Sequence, residues 1–431
     1  MFITPYFQKN IAIKARSEDP KNREGIFYPQ LRATIPDNQK SVSFTSLQSA
    51  LKYIEEARAN NPIKEYENFV RLKELDLDKI KDICEGLSTF KGWTAKVLEL
   101  ITTSFEGIML QIGCIHQCSH CGVDSPNKLI TMKWDNFTVL TDDIATLKER
   151  LGYNPFRRSS NTVTFFKKSE PMMYKSKGTD GITHNIFDAA KYYYEKTGTR
   201  TSVTTAGWPV GNKTSQNAAE SFVASPECLD SFDISIHPFH DYMQKSIKYA
   251  QAGEHEEATL WGNKYIDMMA NVIKSTIGLK DKINSYGIIL EHDFSASKTL
   301  GVSKFNAKIL LQEIFDKLKI EGIDVSYFTP RNIVNDHHIE TRAIEHVGRG
   351  ASYVSKDEQK PRSAIFSIMK SPEVVSSATG ITPDGTIYIN PFTEPGRIKM
   401  KQHQLPFKLN FPFPTENHSK RPPPPLVQII D

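Results

Sequence analysis

Two hydrophobic periods divide the chain. In its first hundred residues apolar positions recur three and four apart: Leu47, Leu51, Tyr53 and Ile54 predict a helix over 46–60, and shorter repeats predict helices over 77–87 and 93–100. From Phe105 onward apolar runs of four to seven residues alternate with helical patterns. The run GIMLQIG (107–113) predicts a first strand ending at Cys114. Further strands are predicted at 162–166, 201–205, 232–236, 286–290 and 325–328. Helices are predicted between them at 134–151, 185–195, 215–224, within 255–277, and at 307–318.

Six β segments separated by helices imply parallel βαβ units, hence an α/β fold with a partial (β/α)6 TIM-like barrel. Its interior is expected to be lined by the FF, IML and IIL runs. Three regions follow: an N-terminal, mainly helical extension (1–103), the barrel (104–330), and a C-terminal extension (331–431). That extension carries a hairpin over 376–392, turning at Pro383-Asp384-Gly385, and a Pro-rich tail. The tail is expected to be a solvated or surface-hugging strap.

Composition narrows this little: 39% hydrophobic and 24% charged residues describe a globular chain. A formal net charge of +4 makes no global electrostatic case for nucleic acid or an anionic membrane. The first twenty residues lack the apolar centre of a signal peptide, and no run is long enough to cross a bilayer. The expectation is a cytoplasmic protein.

Cysteine placement changes the picture. Five cysteines are too few for a disulfide framework. Cys84 stands alone in an apparent helix and reads as a small buried residue. Cys228 lies ahead of the fourth strand, on the side away from any strand-end chemistry. Cys114, Cys118 and Cys121, by contrast, fall within GCIHQCSHCG. Zinc with His116 or His120 as a further ligand is one reading, although a structural zinc site usually pairs two such knuckles and only one is evident. The other is a [4Fe–4S] cluster held by three thiolates, with one iron left open.

Cys-x3-Cys-x2-Cys after the first strand of a βα series resembles the radical S-adenosylmethionine (radical SAM) superfamily. The resemblance covers about residues 104–330. It implies that Cys114, Cys118 and Cys121 hold the cluster and that His120, preceding the last cysteine, lies near the SAM adenine. Lys168-Ser169-Glu170-Pro171 resembles the family's Gly-Gly-Glu-Pro turn, with Glu170 and Pro171 matching and two glycines replaced. Ser169 and Glu170 would then contact the SAM amino group. Ser235 in the fourth strand is expected at the ribose, and Thr205, with Thr204, at the close of the third strand. His237, Glu291 and His292, at strand ends, are candidate substrate-facing groups.

The implied activity is reductive cleavage of SAM to methionine and a 5′-deoxyadenosyl radical, which takes a hydrogen atom from the substrate. A flavodoxin-like or ferredoxin-like protein would donate the electron. The hairpin resembles the start of the SPASM extension of peptide-modifying members. Asn390, Pro391 and Phe392 stand where a cluster cysteine would be, and no cysteine follows Cys228, so a second four-cysteine cluster is excluded. His346–Gly350 (HVGRG) resembles a Gly-Arg segment of several subgroups. The substrate class stays open between a peptide or protein side chain and a small metabolite, with a metal-stabilised binding module as the reading from another class.

Overall fold

The computed structural model describes residues 77–93, 98, 105–116, 118, 125–126, 128–157, 161–166, 168–292, 307–328, 339–343, 379–389 and 403–417. Helix α1 (Leu77–Glu85) precedes the short strands β1 (Phe105–Ile108), β2 (Gln111–Gly113) and β3 (Ile130–Thr131). Helix α2 (Trp134–Leu151) leads to β4 (Thr162–Val163), β5 (Lys168–Ser169) and a hairpin of β6 (Lys175–Lys177) and β7 (Thr183–Asn185). Then α3 (Ile186–Thr197), β8 (Arg200–Thr205), α4 (Lys213–Ala224) and β9 (Leu229–Ile236) follow in strict alternation. Two helices, α5 (Asp241–Gln251) and α6 (His255–Thr276), come before β10 (Ser285–His292), and α7 (Ala307–Ile320) before β11 (Ile339–Ala343). The C-terminal part adds β12 (Thr379–Ile381), β13 (Thr386–Ile389), β14 (His403–Lys408) and β15 (Glu416–Asn417).

The central sheet runs β4-β8-β9-β10-β11 with every neighbouring pair parallel. A parallel bridge from Gly107 to Thr164 carries the order on to β1. Spatial order thus follows chain order, with a helix returning the chain each time, as parallel pairing requires. Local signals set the helix ends. Asn185 and Asp188 close a reciprocal capping box on α3, and Gly198 ends it in the left-handed conformation. Such a cap contributes about 1 kcal/mol.

Three expectations change. The run 107–113 splits at Met109 and Leu110, because Met109 N–H bonds Ile381 O and Leu110 N–H bonds Phe165 O before β2 pairs with β3 and β5. Residues 325–328 form a turn, not a strand: Asp324 Oδ1 accepts from Ser326 N–H at 2.8 Å, and Phe328 N–H returns to Val325 O. This side-chain competition outweighs β propensity in so short a run, while Phe328 still buries against Phe315 and Tyr286. The strand at that edge is β11, which lies beyond residue 330.

The third change concerns the two faces of the sheet. Val203, Phe232, Ile234, Ile236, Tyr286, Ile288 and Leu290 share one face by register. That face meets the helices, since Tyr286 Oη pairs with Thr276 Oγ1 of α6, and Phe165 packs edge-on to Tyr193 of α3. The other face carries Ser202, Thr204, Ser231, Asp233 and Ser235. Phe165, Ile288 and Leu290 therefore point to the helices and not to an apolar interior. Of the predicted lining, Ile289 is on the polar face, opposite Ser235. Parallel sheets buried between helices on both sides read apolar on both faces, so this hydroxyl-rich face is exceptional.

The hairpin β12–β13 is present, its turn held by Asp384, which accepts from Thr382 Oγ1 at 2.6 Å and Thr386 Oγ1 at 2.9 Å. Burial alone would raise the Asp384 carboxyl, but these bonds and one from Lys408 win and hold it at about 2. The hairpin adds to the fold by parallel pairing of β12 with β1. Residues 411–417 strap α2: Asn136 and Phe413 exchange two hydrogen bonds (2.7 and 3.0 Å), and β15 pairs with β3. The predicted helix over 46–60, most of 93–100, the segment 346–350 and the tail from 418 lie outside the described residues, as do Asn390, Pro391 and Phe392. No helix among the described residues is long and apolar enough to cross a membrane.

Candidate functional site

Four strand ends meet around the cysteine loop. Beta strands β2 and β5 run parallel with Gly113 opposite Ser169, so Cys114 and Glu170 leave adjacent strands at the same level. Gly113 has φ +103, and a Cβ there would lie 2.3 Å from Lys128 O, so the approach to Cys114 tolerates only glycine. Cys114 N–H donates to Pro126 O at 3.1 Å, which closes the loop at its base. Cys118 is buried, its Sγ 3.9 Å from His237 Nε2. His237 follows β9 directly and donates its backbone N–H to Tyr265 Oη at 3.0 Å. Cys121 and His120 lie outside the described residues.

His116, between the first two cysteines, is also buried. Its Nε2 lies 2.7 Å from Gly207 O, after β8, and its Nδ1 lies 2.8 Å from His240 Nε2, after β9. The proton positions follow from the chain's own donors. Tyr242 N–H donates to His240 Nδ1, so His240 carries its proton on Nε2 and donates it to His116 Nδ1. His116 then holds its proton on Nε2 and donates to Gly207 O. Both rings are neutral. Burial pushes the His116 pKa down to about 4, against the opposing pull of Gly207 O and the Asp241 charge.

Glu170 caps the short turn Pro171–Met173 and is 2% exposed. Its Oε1 accepts from Met172 N–H at 3.1 Å and Thr205 Oγ1 at 2.6 Å, and its Oε2 from Ala206 N–H at 2.8 Å. Burial raises its pKa to about 7 despite those three bonds. His116 Nε2 approaches Glu170 Oε2 at 3.8 Å, within ion-pair range. With the imidazole held neutral and its proton directed at Gly207 O, this is a dipolar contact and not a salt bridge. Thr205-Ala206-Gly207 is thus a shared anchor for both the Glu170 turn and the cysteine loop.

Of the other residues singled out by sequence, Ser169 has a buried hydroxyl with no hydrogen-bond partner among the described residues. Ser235 is buried on the polar face of β9. Glu291 and His292 form the last two positions of β10, paired with Arg342 and Ala343, and so end that strand instead of following it. Their side chains lie outside the description. Cys84 and Cys228 are buried in apolar surroundings that push their thiols up to about 11 and 12, which leaves them protonated and inert. Sequence reasoning missed His240 altogether. Its one signal is the second histidine of IHPFH (236–240), three residues after His237.

The donor set suits a thiolate-held cluster, with two cysteines on one pinned loop beside a buried hydroxyl that lacks a partner among the described residues. Both nitrogens of His116 are already used, so it is not free to serve as a metal ligand. Among the described residues no group of three His, Cys, Asp or Glu is gathered to hold a metal, the third loop cysteine standing outside them. In comparison with known proteins, the chain matches no protein-family model and no curated relative.

Proposed function

We propose that this chain is a radical SAM enzyme whose Cys114, Cys118 and Cys121 hold a single [4Fe–4S] cluster at the C-terminal end of a partial (β/α)6 barrel. One observation carries the reading: the Cys114 loop and the Ser169-Glu170-Pro171 turn leave neighbouring parallel strands at the same level. The chain-ordered parallel strands and the hydroxyl-rich face opposite the helices support the barrel, with that face turned inward.

When bound, such a cluster supplies reductive cleavage of SAM to methionine and a 5′-deoxyadenosyl radical. The chain's own share is to bind, orient and exclude water. Cys114 and Cys118 would present thiolates from a loop fixed at its base. The Ser169 hydroxyl and the strand-end backbone beside Gly113 would receive the SAM amino acid moiety. Ser235 would offer a hydroxyl to the ribose. Glu170 has its carboxylate engaged by Met172, Thr205 and Ala206, so its part is to fix the turn.

The substrate is read as a peptide or protein side chain, supported by the presence of the hairpin, bonded to β1. A flavodoxin-like or ferredoxin-like protein would supply the electron. Anaerobic reconstitution tests the proposal. The expected result is about four irons per chain, absorbance bleached by dithionite, and 5′-deoxyadenosine formed from SAM. Tightly bound zinc with no SAM cleavage would overturn it in favour of a metal-stabilised binding module.

A further inference from the structure

The histidine inside the cysteine loop is tied to two distant strand ends. His116 reaches Gly207 O, 91 residues on, and His240, 124 residues on. Each tie is short, both rings are buried, and the proton on every nitrogen is dictated by the next group in the chain. Tyr242 N–H starts the series and Gly207 O, which can only accept, ends it. The His240 ring is further fixed between Tyr242 and Tyr265, at centroid distances of 5.1 Å each. Tyr265 also holds His237, which faces Cys118. His116, between the first two cysteines, is therefore fastened to the ends of β8 and β9 by groups that belong wholly to the protein.

We propose that His116 is a positioning residue which, through Gly207 and His240, holds the Cys114–Cys118 segment in its ligand-ready arrangement before any metal binds. This rests on the reading of the loop as a cluster-binding loop. Thiols on an untied loop would each have to be ordered during cluster assembly; here the protein has met that entropic cost in folding. A proton fixed on Nε2 of His116 and another on Nε2 of His240 also give the latch one direction, so neither ring can flip without breaking two hydrogen bonds.

The metal-free full-length chain, kept reduced and anaerobic, provides the test. Alkylation of each cysteine by iodoacetamide is followed by peptide mass spectrometry. In the wild-type chain Cys118, being buried, should react slowly. His116→Ala should raise the Cys118 rate by about tenfold or more while Cys84 and Cys228 stay protected. His116→Gln, whose amide can still donate to Gly207 O, should stay within about threefold of wild type. His240→Phe keeps the ring packing, removes the donor, and should move Cys118 in the same direction as His116→Ala. An unchanged Cys118 rate in His116→Ala and His240→Phe, or His116→Gln behaving like Ala, would overturn the proposal.

Should His116→Ala also expose Cys84 and Cys228, its fold has failed, and the pair His116→Gln and His240→Phe decides by the same criteria. Because no iron or SAM enters this measurement, its outcome is separate from that of the proposed activity. A chain that binds zinc could still show the latch, and a chain that cleaves SAM could lack it.

Discussion

The two ends of β9 sit in contrasting environments although only seven residues separate Cys228, just before the strand, from Ile236 at its end. At its N-terminal end Cys228 lies in apolar packing that raises its thiol to about 12. At its C-terminal end His237, His240, Cys118 and His116 form a buried polar network. Buried thiols of the same sequence thus have different prospects, decided by what surrounds them. Hydrocarbon around the Cys228 thiol keeps it neutral, whereas the Cys118 thiol is buried beside the imidazole of His237. The sheet repeats the lesson across its thickness, with an apolar face toward the helices and a hydroxyl-rich face away from them.

The sharpest way to break the comparison is to remove one thiol from each end. Cys118→Ala is expected to lose 5′-deoxyadenosine formation altogether with the helical circular dichroism signal intact. Cys228→Ala should retain it within about twofold and cost about 1 kcal/mol of stability. Equal losses in both variants would erase the distinction. Next in size is the packing of the helix-facing side. Phe232→Ala should lower unfolding stability in urea by about 3–5 kcal/mol, since the fully buried ring packs against Tyr286.

Glu170→Ala should cost about 2–3 kcal/mol by the same measurement, because the buried N–H of Met172 and the partly buried N–H of Ala206 lose their acceptor. The pH dependence tests the same residue. A carboxyl raised from an unfolded value of 4.5 to about 7 binds its proton more tightly when folded, so its contribution to stability is lost as pH rises through that window. His116, lowered from 6.5 to about 4, works the other way: its contribution is lost as pH falls from 6.5 towards 4. Urea unfolding across pH 5–7.5 should show Glu170→Gln gaining on the wild type as pH rises. A difference independent of pH would mean that Glu170 is not protonated in the folded chain near neutrality.

The smallest effect is expected on the polar face. Ser235→Ala should change stability by less than about 0.5 kcal/mol. Its measurable consequence is weaker SAM binding to the reconstituted protein, by about three- to tenfold. An unchanged Kd for SAM would remove Ser235 from the proposed site.

Much of this was legible in the chain. Helices α2, α3, α6 and α7 and strands β8, β9 and β10 fall where the periodicity predicts them, because each combines a steady apolar period with local stop signals such as Gly198. The hairpin turn at Asp384-Gly385 was equally local. Where a prediction failed, neighbours distant in the chain outweighed it or a side chain competed with the backbone. Asp324 turned 325–328 away from β structure. Met109 and Leu110 left the strand for Ile381 and Phe165. Helix α5 carried too mixed a pattern to be seen.

In the candidate site, the cysteine spacing, Glu170, Thr205, Ser235 and His237 were named from sequence. The partners of Glu170, and the chain from Tyr242 through His240 and His116 to Gly207, were not. By itself the sequence determined which residues could bind a metal and how its helices and strands alternate, since spacing and periodicity are properties of neighbours along the chain. Only the tertiary structure decided which face of the sheet is polar, the register that sets Gly113 opposite Ser169, and that His116 is spent on Gly207 and His240. Those outcomes depend on strand register and on contacts across 91 and 124 residues, and no local pattern encodes them.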